Sequence, residues 1–194
     1  MNEEQKKMRP LKTGEVMRDI YAIDNHFVNF FIIKLGDKIV ALDSGADVDF
    51  SLAELEKIGV KPADIDAVLL THDHGDHTAL LSQFTNAQIY AFNEKIAGHD
   101  AIKPIKINDG DQFNLFGMDV EVIHTPGHKS NHVSFLVFGD ILLAGDMMSI
   151  QAGNEIELFN EVYNESNEQQ KKDIEKIKGM GKIKHIITSH YGWM

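Results

Sequence analysis

Cysteine is absent from the 194 residues. That excludes disulfides, thiol nucleophiles, iron–sulfur clusters and thiolate metal sites. Any metal must then be held by His, Asp or Glu. A chain of this length buries about 70% of its unfolded surface, so it does not depend on covalent staples. Basic residues are also scarce, with 19 Lys+Arg against 30 Asp+Glu and a formal charge of -11. Nucleic-acid binding rests on clustered Lys and Arg, so no nucleic-acid partner is expected. Long apolar runs are lacking as well. The stretch from Phe27 to Leu35 is broken by Asn29 and Lys34 and falls far short of the ~20 residues a membrane helix needs. The start, through Lys6, Lys7, Arg9 and Pro10, has no apolar signal core. The expectation is a cytoplasmic protein with no membrane partner. Only four prolines occur, and no Pro- or Ser-rich linker divides the chain. Residues 1–13 are charged and aperiodic and read as a flexible N-terminal arm, with 14–194 as a single domain.

Short apolar segments dominate the first half. Val16–Ile23, Val28–Lys34 and Lys38–Leu42 read as strands, and Gly36-Asp37 as a hairpin turn. Leu52, Leu55 and Ile58 recur at helical spacing within residues 49–58, before Gly59. Asp66–Leu70 is a strand, His77–Phe84 a short helix and Gln88–Phe92 another strand. In the second half, Gln112–Leu115, Met118–His124, Phe135–Phe138, Ile141–Ala144 and Lys184–Thr188 read as strands. Residues 164–178 form a polar helix capped by Ser166, with Ile174 and Ile177 turned inward and Gly179 after its end. The run from Phe31 to Asp43 is similar to that from Phe135 to Asp146: strand, Gly-Asp turn, strand, acid. This suggests two related β-lobes.

Ten histidines are present, and three fall in Thr71-His72-Asp73-His74-Gly75-Asp76-His77, directly after an apolar strand. Side chains two apart at a strand end point to one side, so His72 and His74 converge. Gly75 is expected to let the backbone turn sharply before Asp76 and His77. Four donors within six residues suit two adjacent metal ions.

His-x-His-x-Asp-His after a strand resembles the metallo-β-lactamase fold superfamily of metal-dependent hydrolases. Leu42-Asp43-Ser44-Gly45, Thr125-Pro126-Gly127-His128, Gly145-Asp146 and Ser189-His190-Tyr191-Gly192 are similar to its further motifs, in the same order, and the resemblance spans about Val16 to Gly192. It implies an α+β fold, a four-layer αββα sandwich. It also implies two divalent metal ions, zinc foremost, with iron or manganese as alternatives. The first ion would take His72, His74 and His128, the second Asp76, His77 and His190, and Asp146 would bridge them. The implied chemistry is attack by a metal-bound hydroxide, which exists near neutral pH because a bound ion lowers the pKa of water to about 7. Asp76 would orient the water. Tyr191 is a candidate hydrogen-bond donor or electrophile toward substrate, or a packing residue. Asp43 either orients a ligand histidine or is simply a strand-end acid.

His124 and His132 flank His128 and are expected to be a buried hydrogen-bonded residue and a strand-start residue. His26 is expected at the surface, and Met147-Met148 in the core. Among subtypes, secreted β-lactamases are disfavoured, because their second-site Cys has no counterpart. Glyoxalase II-like thioesterases share the Thr-His-x-His and Thr-Pro-Gly-His segments but carry a C-terminal helical extension, whereas four residues follow His190 here. Lactonases share the same motifs. The expected substrate is a small ester, thioester or lactone. Two alternatives remain: a mononuclear iron oxygenase of persulfide dioxygenase type, and a non-catalytic metal-binding protein of the same fold. A complete second ligand set counts against both.

Overall fold

In a computed structural model, residues 3–151 and 153–194 are described, and their contacts fall into two units. The first unit is Pro10–Ile107. Its strands are β1 (Gly14–Met17), β2 (Ile20–Asn25), β3 (Val28–Leu35), β4 (Lys38–Leu42), β5 (Ala67–Leu69), β6 (Gln88–Ala91) and β7 (Ile105–Lys106), lying in that order in one sheet. The pairing is antiparallel from β1 to β4 and parallel from β4 to β7. The single strand expected at Val16–Ile23 is a hairpin, because Arg18 and Asp19 turn the chain at φ 44° and 61°. Gly36-Asp37 makes the expected turn, with Leu35 opposite Lys38.

Helix α1 (Val48–Lys57) connects β4 to β5. Asp47 caps it by accepting a hydrogen bond from the Phe50 N–H at 2.9 Å. Leu52, Leu55 and Ile58 meet a core that includes Ile23, Phe30, Ile32 and Val68. Each such side chain contributes about 1.5–3 kcal/mol when fully buried. The expected helix at His77–Phe84 is instead one turn, α2 (Gly75–Thr78), followed by a 3-10 turn over Leu81–Gln83.

The second unit joins the described residues up to Arg9 to Asn108–Met194. Its elements are β8 (Gln112–Leu115), β9 (Met118–His124), β10 (Val133–Val137), β11 (Ile141–Gly145), β12 (Met148–Ile150), β13 (Ile156–Leu158), α3 (Asn167–Lys178) and β14 (His185–Thr188). Five strands form a sheet in the order β14-β11-β10-β9-β8, and β12 pairs with β13 separately. Ser166 caps α3 through the Gln169 N–H at 3.2 Å. Ile174 and Ile177 face inward, onto a core that contains both Met147 and Met148.

The suspected repeat is visible as topology. Phe31 pairs with Leu42 and Phe135 with Leu143. In each unit the second hairpin strand then pairs in parallel, β4 with β5 and β11 with β14. Asp43 follows β4 and Asp146 follows β11, so each acid sits at the C-terminal end of a strand beside a parallel neighbour. Of the stretch read as an arm, Met8 is buried, and the Arg9 guanidinium donates to the Ile150 carbonyl at 2.8 Å. Leu11 N–H donates to the Asn29 side-chain oxygen at 2.6 Å. Among the described residues, no helix is long and apolar enough to cross a membrane.

Candidate metal centre

The first unit carries His72, His74, Asp76 and His77 on the loop after β5 and on α2. His72 and His77 are buried. His72 Nε2 and His74 Nδ1 stand 3.0 Å apart. Two nitrogens each about 2.0–2.1 Å from one zinc ion must lie within about 4 Å of each other, so this pair fits a shared ion. The other nitrogen of His72, Nδ1, is 3.0 Å from Thr71 Oγ1.

His77 Nδ1 meets Asp43 Oδ2 at 2.8 Å. A carboxylate only accepts, so Nδ1 carries a proton, and in the neutral imidazole Nε2 then keeps its lone pair. That lone pair could bind a metal ion, and Asp76 Oδ2 lies 3.8 Å from Nε2. Asp43 Oδ1 accepts the Thr71 N–H at 2.8 Å, and the Thr71 hydroxyl lies 3.0 and 2.8 Å from the two carboxylate oxygens. The backbone of Asp43 is left-handed at φ 61°, a conformation that Asp tolerates better than most residues. Gly75 does not make the turn expected of it. It has no positive φ, a Cβ there would meet open space, and the chain turns by starting α2.

The second unit carries His128, Asp146 and His190, all buried. Asp146 Oδ2 lies 3.5 Å from His128 Nε2 and 3.3 Å from His190 Nε2. One carboxylate oxygen thus faces two imidazoles, which is the donor arrangement a bridging acid requires. His128 Nδ1 is 3.1 Å from Asn164 Oδ1, which also accepts from Gln170 Nε2 at 3.1 Å. The amide oxygen fixes the Nδ1–H tautomer of His128 as Asp43 fixes that of His77.

Helix α3 holds the His128 loop from its N-terminal end. Gly127 N–H donates to Asp173 Oδ2 at 2.9 Å, and Ser166 N–H to the Gly127 carbonyl at 2.9 Å. A Cβ on Gly127 would stand 2.3 Å from the Gln170 backbone nitrogen, so only glycine fits. The His190 carbonyl accepts from Arg9 N–H at 2.8 Å. Phe159 packs edge-on against His128, with centroids 4.9 Å apart, and lies 5.3 Å from His190. Tyr191 is half-buried, 6.0 Å from Phe159. Burial, then the charge of Asp146, pushes its phenol above the usual range, so it stays a hydrogen-bond donor.

The remaining histidines separate from these sets. His26 is exposed and stacks on Phe50 at 4.2 Å. The expected roles of the flanking pair are exchanged: His132 is the buried one, with Nδ1 2.8 Å from Thr125 Oγ1, while His124 is only partly buried, ends β9 and places Nε2 2.9 Å from the Ser130 carbonyl. Sequence reading missed Asn164, Gln170 and Phe159. The amides lie in a segment whose composition looks merely polar, and only the packing of α3 on the His128 loop makes them neighbours of His128.

Residues 23–190 match the sequence profile of the metallo-beta-lactamase superfamily. A hydroxyacylglutathione hydrolase of Aeromonas hydrophila is 39% identical over 98 residues, 48% of this chain and 37% of that protein. One from Xylella fastidiosa is 34% identical over 134 residues, 66% of this chain and 47% of that protein. The chain therefore spans less than half the length of these curated relatives. Among solved structures, a metallo-beta-lactamase family protein of Thermus thermophilus superposes with a TM-score of 0.74 at 17% identity, covering 93% of this chain and 76% of that one. The subclass B3 metallo-beta-lactamase BJP-1 of Bradyrhizobium japonicum gives 0.69 at 21% identity, covering 94% and 79%. These likenesses show the α+β fold of the metallo-β-lactamase type.

Proposed function

Since the chain belongs to the metallo-β-lactamase superfamily of metal-dependent hydrolases, we propose that it hydrolyses a small thioester, with small esters and lactones as the neighbouring substrate classes. In this reading residues 14–194 are one hydrolase domain and 1–13 an arm. The two ligand sets serve one dinuclear centre, with His72, His74 and His128 on one ion, Asp76, His77 and His190 on the other, and Asp146 shared. Zinc is the expected metal, and the protein works in the cytoplasm on a small molecule without a nucleic-acid or membrane partner.

The observation that carries the reading is the pair of fixed tautomers. Asp43 at 2.8 Å from His77 Nδ1 and Asn164 at 3.1 Å from His128 Nδ1 put the proton of each neutral imidazole on Nδ1 and leave the lone pair on Nε2. What sets them apart from a packed histidine such as His132 is where Nε2 points: toward Asp76 Oδ2 at 3.8 Å in His77 and toward Asp146 Oδ2 at 3.5 Å in His128. When bound, two divalent ions supply a water acidic enough to ionise near pH 7 and a Lewis acid for the scissile carbonyl. The protein's part is positional. Asp76 would orient the attacking water. Tyr191, kept protonated, donates a hydrogen bond to substrate. Phe159 keeps water from the inner faces of His128 and His190. The choice of a thioester rests on the similarity to hydroxyacylglutathione hydrolases and on the Thr71-His72-Asp73-His74 and Thr125-Pro126-Gly127-His128 segments.

The test is the metal content of protein purified without added metal, paired with a screen of thioesters and lactones. Two zinc or manganese per chain with thioester turnover supports the proposal. One iron with oxygen consumption overturns it.

A further inference from the structure

His132 belongs to neither ligand set of the reading above, yet it is fully buried, with its ring centroid 5.9 Å from that of His128. The Asp146 N–H donates to His132 Nε2 at 3.1 Å. Nε2 therefore carries no proton, and Nδ1 does. Nδ1–H donates to Thr125 Oγ1 at 2.8 Å, Thr125 Oγ1 lies 3.2 Å from Ser134 Oγ, and Ser134 Oγ donates to the Ala144 carbonyl at 3.1 Å. Every donor in this chain finds an acceptor, so its direction is fixed from Asp146 N–H to Ala144 C=O.

The two ends matter. Ala144 and Asp146 flank Gly145, whose φ of 59° bends the chain as it leaves β11. The relay clamps the peptide groups on either side of that bend. It also closes the His128 loop, because Thr125 N–H donates to the His132 carbonyl at 3.0 Å and His132 N–H to the Lys129 carbonyl at 2.9 Å. One imidazole thus ties the loop bearing His128 to the backbone of Asp146.

We propose that His132 is a positioning residue of the metal centre, setting the 3.5 Å separation between His128 Nε2 and Asp146 Oδ2 through the Asp146 backbone rather than by ligation. The inference rests on the reading that His128 and Asp146 bind metal. Partners that orient metal ligands from behind typically contribute about 10- to 100-fold in metal affinity. Without His132 the Asp146 N–H is a buried donor with no acceptor, and the bend at Gly145 relaxes to satisfy it.

The test is zinc affinity, measured on the full chain by competition with a chromogenic chelator, alongside the melting temperature of the metal-free protein. His132→Ala is expected to weaken zinc binding at least about tenfold. His132→Gln, whose amide can accept from Asp146 and donate to Thr125, is expected to recover most of that loss. Thr125→Val, which breaks the next link and keeps its shape, is expected to weaken binding in the same direction by a smaller factor. A His132→Ala protein that melts as a folded chain and binds zinc like wild type overturns the proposal. So does a loss in metal-free stability with no change in zinc affinity, or a loss that His132→Gln does not restore. Wild-type protein that binds no zinc, manganese or iron instead removes the underlying reading of the ligand set, a result distinguishable from the others by its control.

Discussion

The carboxylate of Asp43 meets the Nδ1 of His77 at 2.8 Å, with both side chains shut away from solvent. Asp43 Oδ1 is already engaged by the Thr71 N–H at 2.8 Å. In Asp43→Asn the amide oxygen must serve Thr71, which turns the NH2 toward His77 and forces Nδ1 to accept. The proton then moves to Nε2, and the metal-binding lone pair is lost. Zinc affinity should fall about 10- to 100-fold with little change in the metal-free fold. Chelator competition and far-UV circular dichroism measure the two effects.

Gly127→Ala should be more damaging than its size suggests. The added methyl would overlap the backbone of Gln170 at 2.3 Å, and backbone in a helix cannot step aside alone. Helix α3 would shift off the His128 loop, taking Asn164 and Asp173 with it. We expect a loss of about 3 kcal/mol or more in urea unfolding, above the usual range for an extra methylene in a packed region.

Asp66 gives the protein a defined acid-side weakness. The Lys38 ammonium at 2.8 Å, and then the Ile39 N–H, hold its carboxyl below the usual range. A depressed folded value means the stabilisation is present above the unfolded value of about 4 and is lost as pH falls through the folded one. Asp66→Asn should therefore reduce stability at pH 6–7 and converge with wild type at the acid end. A constant offset across the pH range would show that the ionised form of Asp66 is not what stabilises the fold.

Much of this was legible in the sequence, because local chemistry decided it. Gly36-Asp37 is a turn wherever it falls between two apolar alternations, and Ser166 is a cap because its side chain reaches the Gln169 N–H. The five motifs were readable as segments carrying the candidate site for the same reason: each begins at or just after the end of a strand. What the sequence hid depends on distant partners. Arg18-Asp19 has no glycine to announce its turn, and β7 is two residues long. Asn164 and Gln170 matter only because α3 lies across Gly127. His132 reads as a strand-start residue until the bend at Gly145 brings the Asp146 N–H to it.

Within the ligand sets, His74→Ala and Asp146→Ala should each abolish turnover and lower metal content. Asp146→Ala should be the more severe for metal, since its Oδ2 faces both His128 and His190. Elemental analysis of the two variants beside wild type gives the comparison. Full activity in either would remove that residue from the ligand set.

The most direct measurement is the number and identity of metal ions in protein purified without added metal, taken with thioester turnover of the same sample. The account predicts two zinc or manganese ions per chain and hydrolysis that disappears on chelation and returns with metal. A single iron with oxygen uptake, or hydrolysis that survives complete metal removal, would contradict it.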